Sequence, residues 1–451
     1  MNDVIPAISI DRLDVVVKAY DIRGTTPDQL DSDMCRALGA AFAKFSGQAS
    51  IIIGRDMRPT GPEFAAAFAD GAMSQGVDVI DIGLASTDMT YFAAGHLDRP
   101  AAMLTASHNP AGYNGIKLCG AGASPIGTES GLLDIKAMAS KGVPVEAHRG
   151  LLSSRDLLSA FVDHVHSFVD TSALKPLKII ADTANGMGGH VAPAVFAGLP
   201  FDVEIMYGEL DGTFPNHPAD PIQPENQVAL QARVLETGAD IGLAFDGDAD
   251  RVFLVDEKAN TVSGALTTAL VARGVLAKEG PGPILHNLIC SRSVAEVIRE
   301  SGGDPVRTKV GHSFIKADMA RTGAAFGGEH SGHYYFRRNF RADSGLIAAL
   351  TVLEQMSTSG LSLSKLIAPL DRYCASGEIN TTVDDPQAVI ERVAAAFGDN
   401  SQDRLDGLTV DCGEWWFNLR PSNTEPLLRL NLEAPSVEEV ERHVEEVRAN
   451  F

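Results

Sequence analysis

The chain has 451 residues, 45% hydrophobic and 21% charged, so it can bury a large core and exceeds what one domain normally holds. A formal net charge of −22 argues against a nucleic-acid partner, because phosphate backbones reward broad faces of Lys and Arg; a small anionic ligand needs basic residues only locally. No run approaches the ~18 apolar residues of a membrane span, and MNDVIPAISIDRLDVVVKAY lacks the basic start and apolar run of a secretion signal, which leads us to expect a cytoplasmic protein with no membrane partner.

In chain order, the strand-like SIIIG (50–54) leads to the polar turn RDMRPTGPE, an Ala-rich helical stretch, a second strand VDVIDIG (77–83) and then AAMLTASHNP (101–110). The same succession returns in LKIIADTANGMGG (177–189), FDVEIMYGE and ADIGLAFDGDADR (239–251). It returns again in GPILHNLICSRSVAEVIRE, DPVRTKVGHSF and GAAFGGEHSGH (323–333). Strands alternating with helices require crossover connections, so each unit reads as an α/β layer domain whose last strand ends in an unusual polar loop. The final stretch differs: EINTTVDDP, a helix at 386–397, GLTVDCGEWWFNLRPSNTEPLLRLNLEA and a closing helix near 437–450 read as an antiparallel sheet with helices packed on it, an α+β domain. The expected division is 1–155, 156–260, 261–370 and 371–451. The five cysteines are scattered with no C-x-x-C, so neither a disulfide framework nor a zinc site is indicated.

Four loops carry residues suited to chemistry. In TASHNP the Asn-Pro step forces a turn and offers Ser107 on a loop tip, either as a brace for the turn or as a nucleophile. DGDADR sets Asp246, Asp248 and Asp250 at every second position after an apolar strand; their repulsion calls for a cation or a donor network, and all-oxygen ligands favour a hard cation such as Mg²⁺. A calcium EF-hand is rejected because Arg251 stands where that loop needs Gly and strands flank it. An aspartyl-phosphate enzyme, with the nucleophile in this turn, stays open, as does a non-catalytic sugar-phosphate- or calcium-binding protein. FGGEHSGHYYF offers Glu329, Ser331 and His333 to a polyhydroxyl ligand, or is a Gly-rich turn only. NLRPSNTEP brings Arg420, Ser422, Asn423 and Thr424 onto one turn, a phosphate cradle or a plain type I turn. Arg23, Lys117, Arg251 and His312 are the remaining candidates from KAYDIRG, YNGIKLCG, the aspartate turn and KVGHSF.

TASHNP, DGDADR, GEHSGH and RPSNTEP, in that order, resemble the α-D-phosphohexomutase superfamily, from Arg23 to the last turn. Within it the chain is similar to the phosphomannomutase/phosphoglucomutase group; Asn423 and His330 stand where phosphoglucosamine mutases usually have Gly and Gln, and that sister group is the alternative. The resemblance implies three α/β domains with a mixed sheet and a fourth like the TATA-binding-protein fold, around one cleft. It implies a phosphoserine at Ser107, Mg²⁺ held by Asp246, Asp248 and Asp250 with that phosphate, and a hexose 1,6-bisphosphate that turns around between two phosphoryl transfers and also serves as activator. It assigns Arg23, Arg251, Lys117 and His312 to catalysis, with Lys117 or His312 as general acid or base. Glu329, Ser331, His333 and the turn 420–424 bind the end of a hexose phosphate that is not reacting. Many relatives have Lys where this chain has Ile289, so a cationic contact is either lost or supplied by Arg292. Mannose against glucose, and the oligomeric state, are left open.

Overall fold

The computed structural model describes residues 3–421 and 427–451, with His312 described by its backbone. The threefold succession read from the sequence is a threefold topology. In the first unit Ser50–Arg55 lies between Asp78–Leu84 and Ala101–Leu104, all parallel, and Tyr113–Cys119 returns antiparallel beside the last. Lys178–Asp182 lies likewise between Asp202–Met206 and Ile241–Phe245, with Val252–Asp256 antiparallel. Pro283–Asn287 lies between Asp304–Thr308 and Phe326–Gly328, with Tyr334–Phe336 antiparallel. The three closing loops, TASHNP, DGDADR and GEHSGH, are therefore one and the same turn, third strand to fourth, in each unit. Edge strands Ile22–Thr25 and Leu152–Ser154 widen the first sheet, and Thr261–Val262 extends the second beyond the division expected at 260.

Local chemistry places the helices between these strands. Asp31 accepts from the Met34 amide at 2.9 Å to start Ser32–Ser46, and Gly47, at φ +59°, ends it in the left-handed region. That helix packs on Gly61–Met73 through Gly39 and Gly71: a Cβ on either would come within 2.1 Å or 2.0 Å of a backbone carbonyl oxygen of the other helix, so only glycine allows the approach.

The C-terminal domain is a five-stranded antiparallel sheet, with Leu427–Ala434 between Cys374–Thr382 and Trp416–Pro421, and with helices Pro386–Ala396 and Val437–Arg448 packed on it. Its apolar cluster, around Val393, Phe417, Leu430 and Val447, is its own. A much larger cluster runs without interruption through the three α/β units, from Phe92 through Ile179 and Leu243 to Leu350. All five cysteines are free thiols. Among the described residues, no helix is long and apolar enough to cross a membrane.

Candidate active site

The turn after Ala101–Leu104 is held from below. Arg58, in the polar turn RDMRPT, is fully buried; its guanidinium donates to the carbonyls of Ser107 (2.9 Å), Asn109 (2.7 Å), Pro110 (2.9 Å) and Tyr113 (2.8 Å) and to Asp56 (3.2 Å). The Phe214 ring, from the second unit, covers it at 5.2 Å. So clamped, the turn keeps Ser107 at φ +50°, a conformation that side-chain-bearing residues rarely adopt. The neighbouring turn comes close enough that a Cβ on Gly247 would lie 2.4 Å from the Ser107 carbonyl oxygen, hence the glycine of DGDADR.

These turns join through the Ser107 hydroxyl, which donates to Asp246 Oδ2 at 2.8 Å and lies 3.3 Å from His108 Nδ1 and 3.5 Å from an Arg251 nitrogen. Asp246 also accepts from the Arg251 amide (3.1 Å) and Nε (2.9 Å), so both its oxygens are engaged. Lys117 Nζ donates to Oδ2 of Asp248 and of Asp250, at 2.7 Å each, while Oδ1 of each is buried without a hydrogen-bond partner. Oxygens of the three carboxylates lie within 4.8 Å of one another. Two orphaned, buried carboxylate oxygens among hard donors fit a divalent cation; without one they are costly.

The electrostatics follow from this crowding. Burial, together with Asp248 and Asp250 and against Arg251, drives Asp246 well above the carboxylate range. Burial opposes the charge of Asp248 too, but Lys117 and the Thr87 hydroxyl outweigh it and pull its pKa down. Burial likewise disfavours the Lys117 ammonium, yet the two aspartates hold its proton well above the ordinary lysine value. His108 is kept neutral by burial and by Arg251 and Arg23.

The third equivalent turn packs against the second: Arg251 and His333 form an antiparallel bridge. His333 Nε2 is 3.8 Å from Asp250 Oδ1, and Nδ1 is 3.0 Å from the Ser331 hydroxyl. Burial lowers the His333 pKa, with Arg251 adding to it and Asp250 opposing, so the imidazole is neutral at physiological pH. A cavity of about 660 Å³ opens here, and Arg23, Ser107, Lys117, Asp250 and His333 stand on its wall. Arg23 is aimed by Asp21 (2.7 Å) and Asn109 (2.6 Å).

Other expected residues lie differently. Glu329 is 2% exposed and turned inward, accepting from Tyr335 Oη (2.8 Å) and the Gly311 amide (3.0 Å), and burial raises its pKa. Arg420, at the end of Trp416–Pro421, is paired with Glu378 at 2.9 Å and is not on the cavity wall. His312 opens the helix His312–Thr322. Ser422, Asn423 and Thr424 lie outside the described residues. Arg292 does not stand in for the lysine replaced by Ile289: it reaches across to Asp411 (2.6 Å) and the Gly413 carbonyl (2.5 Å), tying the third unit to the C-terminal domain. Sequence reasoning passed over Arg58, whose carbonyl partners are 49 to 55 residues away, and Thr87, whose partner is 161 residues away.

Models of the phosphoglucomutase/phosphomannomutase family match four consecutive segments: alpha/beta/alpha domain I over residues 14–142, domain II over 159–260, domain III over 263–373 and the C-terminal domain over 378–450. Phosphohexose mutases of Xanthomonas campestris are 42% identical over 425 residues, covering 92% of this chain and 94% of the relative. Phosphomannomutase of Salmonella montevideo is 40% identical over 429 residues, with the same shares covered. The crystal structure of a phosphoglucomutase/phosphomannomutase family protein from Burkholderia thailandensis superposes with a TM-score of 0.88 at 31% identity, covering 96% of each chain. The chain belongs to the phosphoglucomutase/phosphomannomutase family. It is a hexose phosphate mutase, an isomerase that works by phosphoryl transfer.

Proposed function

We propose that the chain interconverts the 6-phosphate and 1-phosphate of mannose, and of glucose as well, through a phosphoserine at Ser107 and a hexose 1,6-bisphosphate, which is also its activator. The observation that carries this is the position of Ser107: its hydroxyl is on the cavity wall, whereas both oxygens of its rival Asp246 are tied to Arg251 and to Ser107 itself. Relatives named phosphomannomutase support mannose. We take 1–155, 156–262, 263–370 and 371–451 as the four domains.

The carboxylates of Asp246, Asp248 and Asp250, with an oxygen of the phosphorylated Ser107, would hold Mg²⁺, which when bound neutralises charge on the phosphoryl group. The chain's own residues do the rest. A sugar hydroxyl forms the new O–P bond as the bond from phosphorus to Ser107 Oγ breaks. Arg23 and Arg251 offset the negative charge around the transfer, and Lys117, which keeps its proton, is the donor to the departing oxygen. The proton of the attacking hydroxyl goes to the neutral imidazole of His333, or to His312. The cavity's about 660 Å³ suits a single hexose phosphate, which must reorient to present its other end. Ser331 and His333 meet the sugar hydroxyls, Glu329 does so only by giving up Tyr335 or the Gly311 amide, and Arg420, Ser422, Asn423 and Thr424 meet the distal phosphate. For Arg420 this means exchanging Glu378 for the ligand.

Incubation with hexose 1,6-bisphosphate labelled in phosphate is the test. A hydroxylamine-stable label on Ser107 is expected. A hydroxylamine-labile label would move the nucleophile to an aspartate, and no label at all would leave a binding protein.

A further inference from the structure

The acidic turn receives a contact from outside its own unit that the reaction as described does not use. Helix Thr87–His96 of the first unit begins at Ser86, and its first residue, Thr87, is fully buried against Asp248. The Thr87 hydroxyl donates to Asp248 Oδ2 at 2.5 Å, and the Thr87 amide donates to the Asp248 carbonyl at 3.0 Å. The next residue, Asp88, accepts from the Ser344 hydroxyl at 2.7 Å, and Ser344 caps the helix Gly345–Ser359 of the third unit. That helix start is itself pressed on the turn, since a Cβ on Gly345 would lie 2.8 Å from the Arg251 carbonyl carbon. The positive ends of two helices thus flank the three aspartates.

Asp248 Oδ2 is thereby saturated, by Thr87 at 2.5 Å and Lys117 at 2.7 Å, while Oδ1 is buried and unpartnered. A carboxylate with both oxygens free turns about its last bond; one with Oδ2 pinned by two donors, Thr87 on a helix and Lys117 on a strand of the first unit, presents Oδ1 in one orientation. We propose that Thr87 is a positioning residue, its hydroxyl fixing Asp248 so that Oδ1 is the atom presented to the metal. This rests on the reading of the aspartate turn as the metal site. Lys117 gives this oxygen only one of its donors, bonding Asp250 with another, and the Thr87 hydroxyl adds the second contact. Partners of this outer kind typically change metal affinity by about 10- to 100-fold when removed.

The test is titration of the full chain with Mn²⁺, following free Mn²⁺ by electron paramagnetic resonance, which needs no turnover. Thr87→Val, close in shape but without the hydroxyl, is expected to raise the Mn²⁺ dissociation constant about tenfold. Thr87→Ser, which keeps the hydroxyl, is expected to bind within about threefold of wild type. Thr87→Ala is measured alongside, with circular dichroism reporting the fold of each. Equal affinity in wild type and a folded Thr87→Val would overturn the proposal while leaving the metal site standing. Loss of fold in both Val and Ala variants would overturn it as well, making Thr87 a structural residue. A wild type that binds no Mn²⁺ would remove the metal reading on which it depends.

Discussion

The three α/β units and the C-terminal domain are held in different ways. The former share one continuous apolar cluster, and their polar seams are buried: Arg58 under Phe214, Thr87 on Asp248, Asp88 on Ser344. The C-terminal domain keeps its own apolar cluster and meets the third unit through partly exposed ion pairs, Arg292 with Asp411 and Arg307 with Asp403. Shared burial makes the nucleophile and the acidic turn one rigid object, whereas exposed pairs are individually weak. On the function proposed above, this difference would separate two tasks: the reacting groups are assembled beforehand, and a grip on the far phosphate would form with the ligand.

Substitutions on either side sharpen or break that contrast. On the preassembled side, Ser107→Ala should lower turnover about a thousandfold or more with an unchanged melting curve, since the hydroxyl contributes chemistry and little packing. Activity within tenfold of wild type would sink the assignment. Arg58→Met should cost about 3–5 kcal/mol in urea unfolding, because it leaves Asp56 and the carbonyls of the turn buried and unpaired; a midpoint close to wild type would mean that the turn holds itself. In the C-terminal domain, Arg420→Ala should raise KM for monophosphates and lower kcat/KM about 30- to 150-fold, from the loss of a charge-assisted contact of roughly 2–3 kcal/mol. Phosphorylation of Ser107 by the bisphosphate should persist in that variant, and an unchanged KM reduces the turn to a bend. Small-angle scattering should show wild type compacting with sugar phosphate and the variant not compacting.

Two smaller effects test the seams. Arg292→Ala combined with Arg307→Ala should widen the scattering profile of the free protein and change KM by only about a few fold, each exposed pair contributing about 0–1 kcal/mol. A collapse of activity would show the hinge to be part of the rigid half. Lastly, His217 in the second unit is bonded to Asp182 at 3.0 Å. Burial opposes its charge, but Asp182 prevails and raises its pKa above 6.5. A raised histidine pKa favours the folded state fully below the unfolded value and ceases to do so as pH rises through the folded one. The stability lost in His217→Gln, read from melting temperatures, should therefore be largest below pH 6.5 and shrink above it.

Much of the rigid half was legible in the sequence because its signals are local. An apolar run followed by a polar turn marks a strand end, and three such turns in order mark one repeated architecture. Asp246, Asp248 and Asp250 declare themselves by spacing alone. What stayed hidden depends on contacts between distant segments. Arg58 binds main-chain carbonyls, which carry no sequence signature, and Thr87 meets Asp248 across 161 residues. The pairing of Arg420 with Glu378 arises from two strands brought into one sheet by Leu427–Ala434 between them, and the inward turn of Glu329 from a tyrosine six residues on. Of the two possibilities the sequence leaves at Ile289, a lost contact or one supplied by Arg292, the second depends on where Arg292 points, and its partners are in another domain.

The repeated turn has a consequence for how such an enzyme can change. Each unit offers the same position, third strand to fourth, and the scaffold beneath it is indifferent to what that position carries. One copy bears Ser107, the nucleophile of the proposed reaction, one the aspartates, and one the polar GEHSGH turn proposed for the sugar. A new sugar calls for rewriting GEHSGH within the limits set by its neighbour, since His333 bridges Arg251 and a Cβ on Gly332 would lie 2.6 Å from the Phe253 ring. The nucleophile and acidic turns are limited in the same way, since Gly247 and Ser107 are in backbone contact and each is the other's wall.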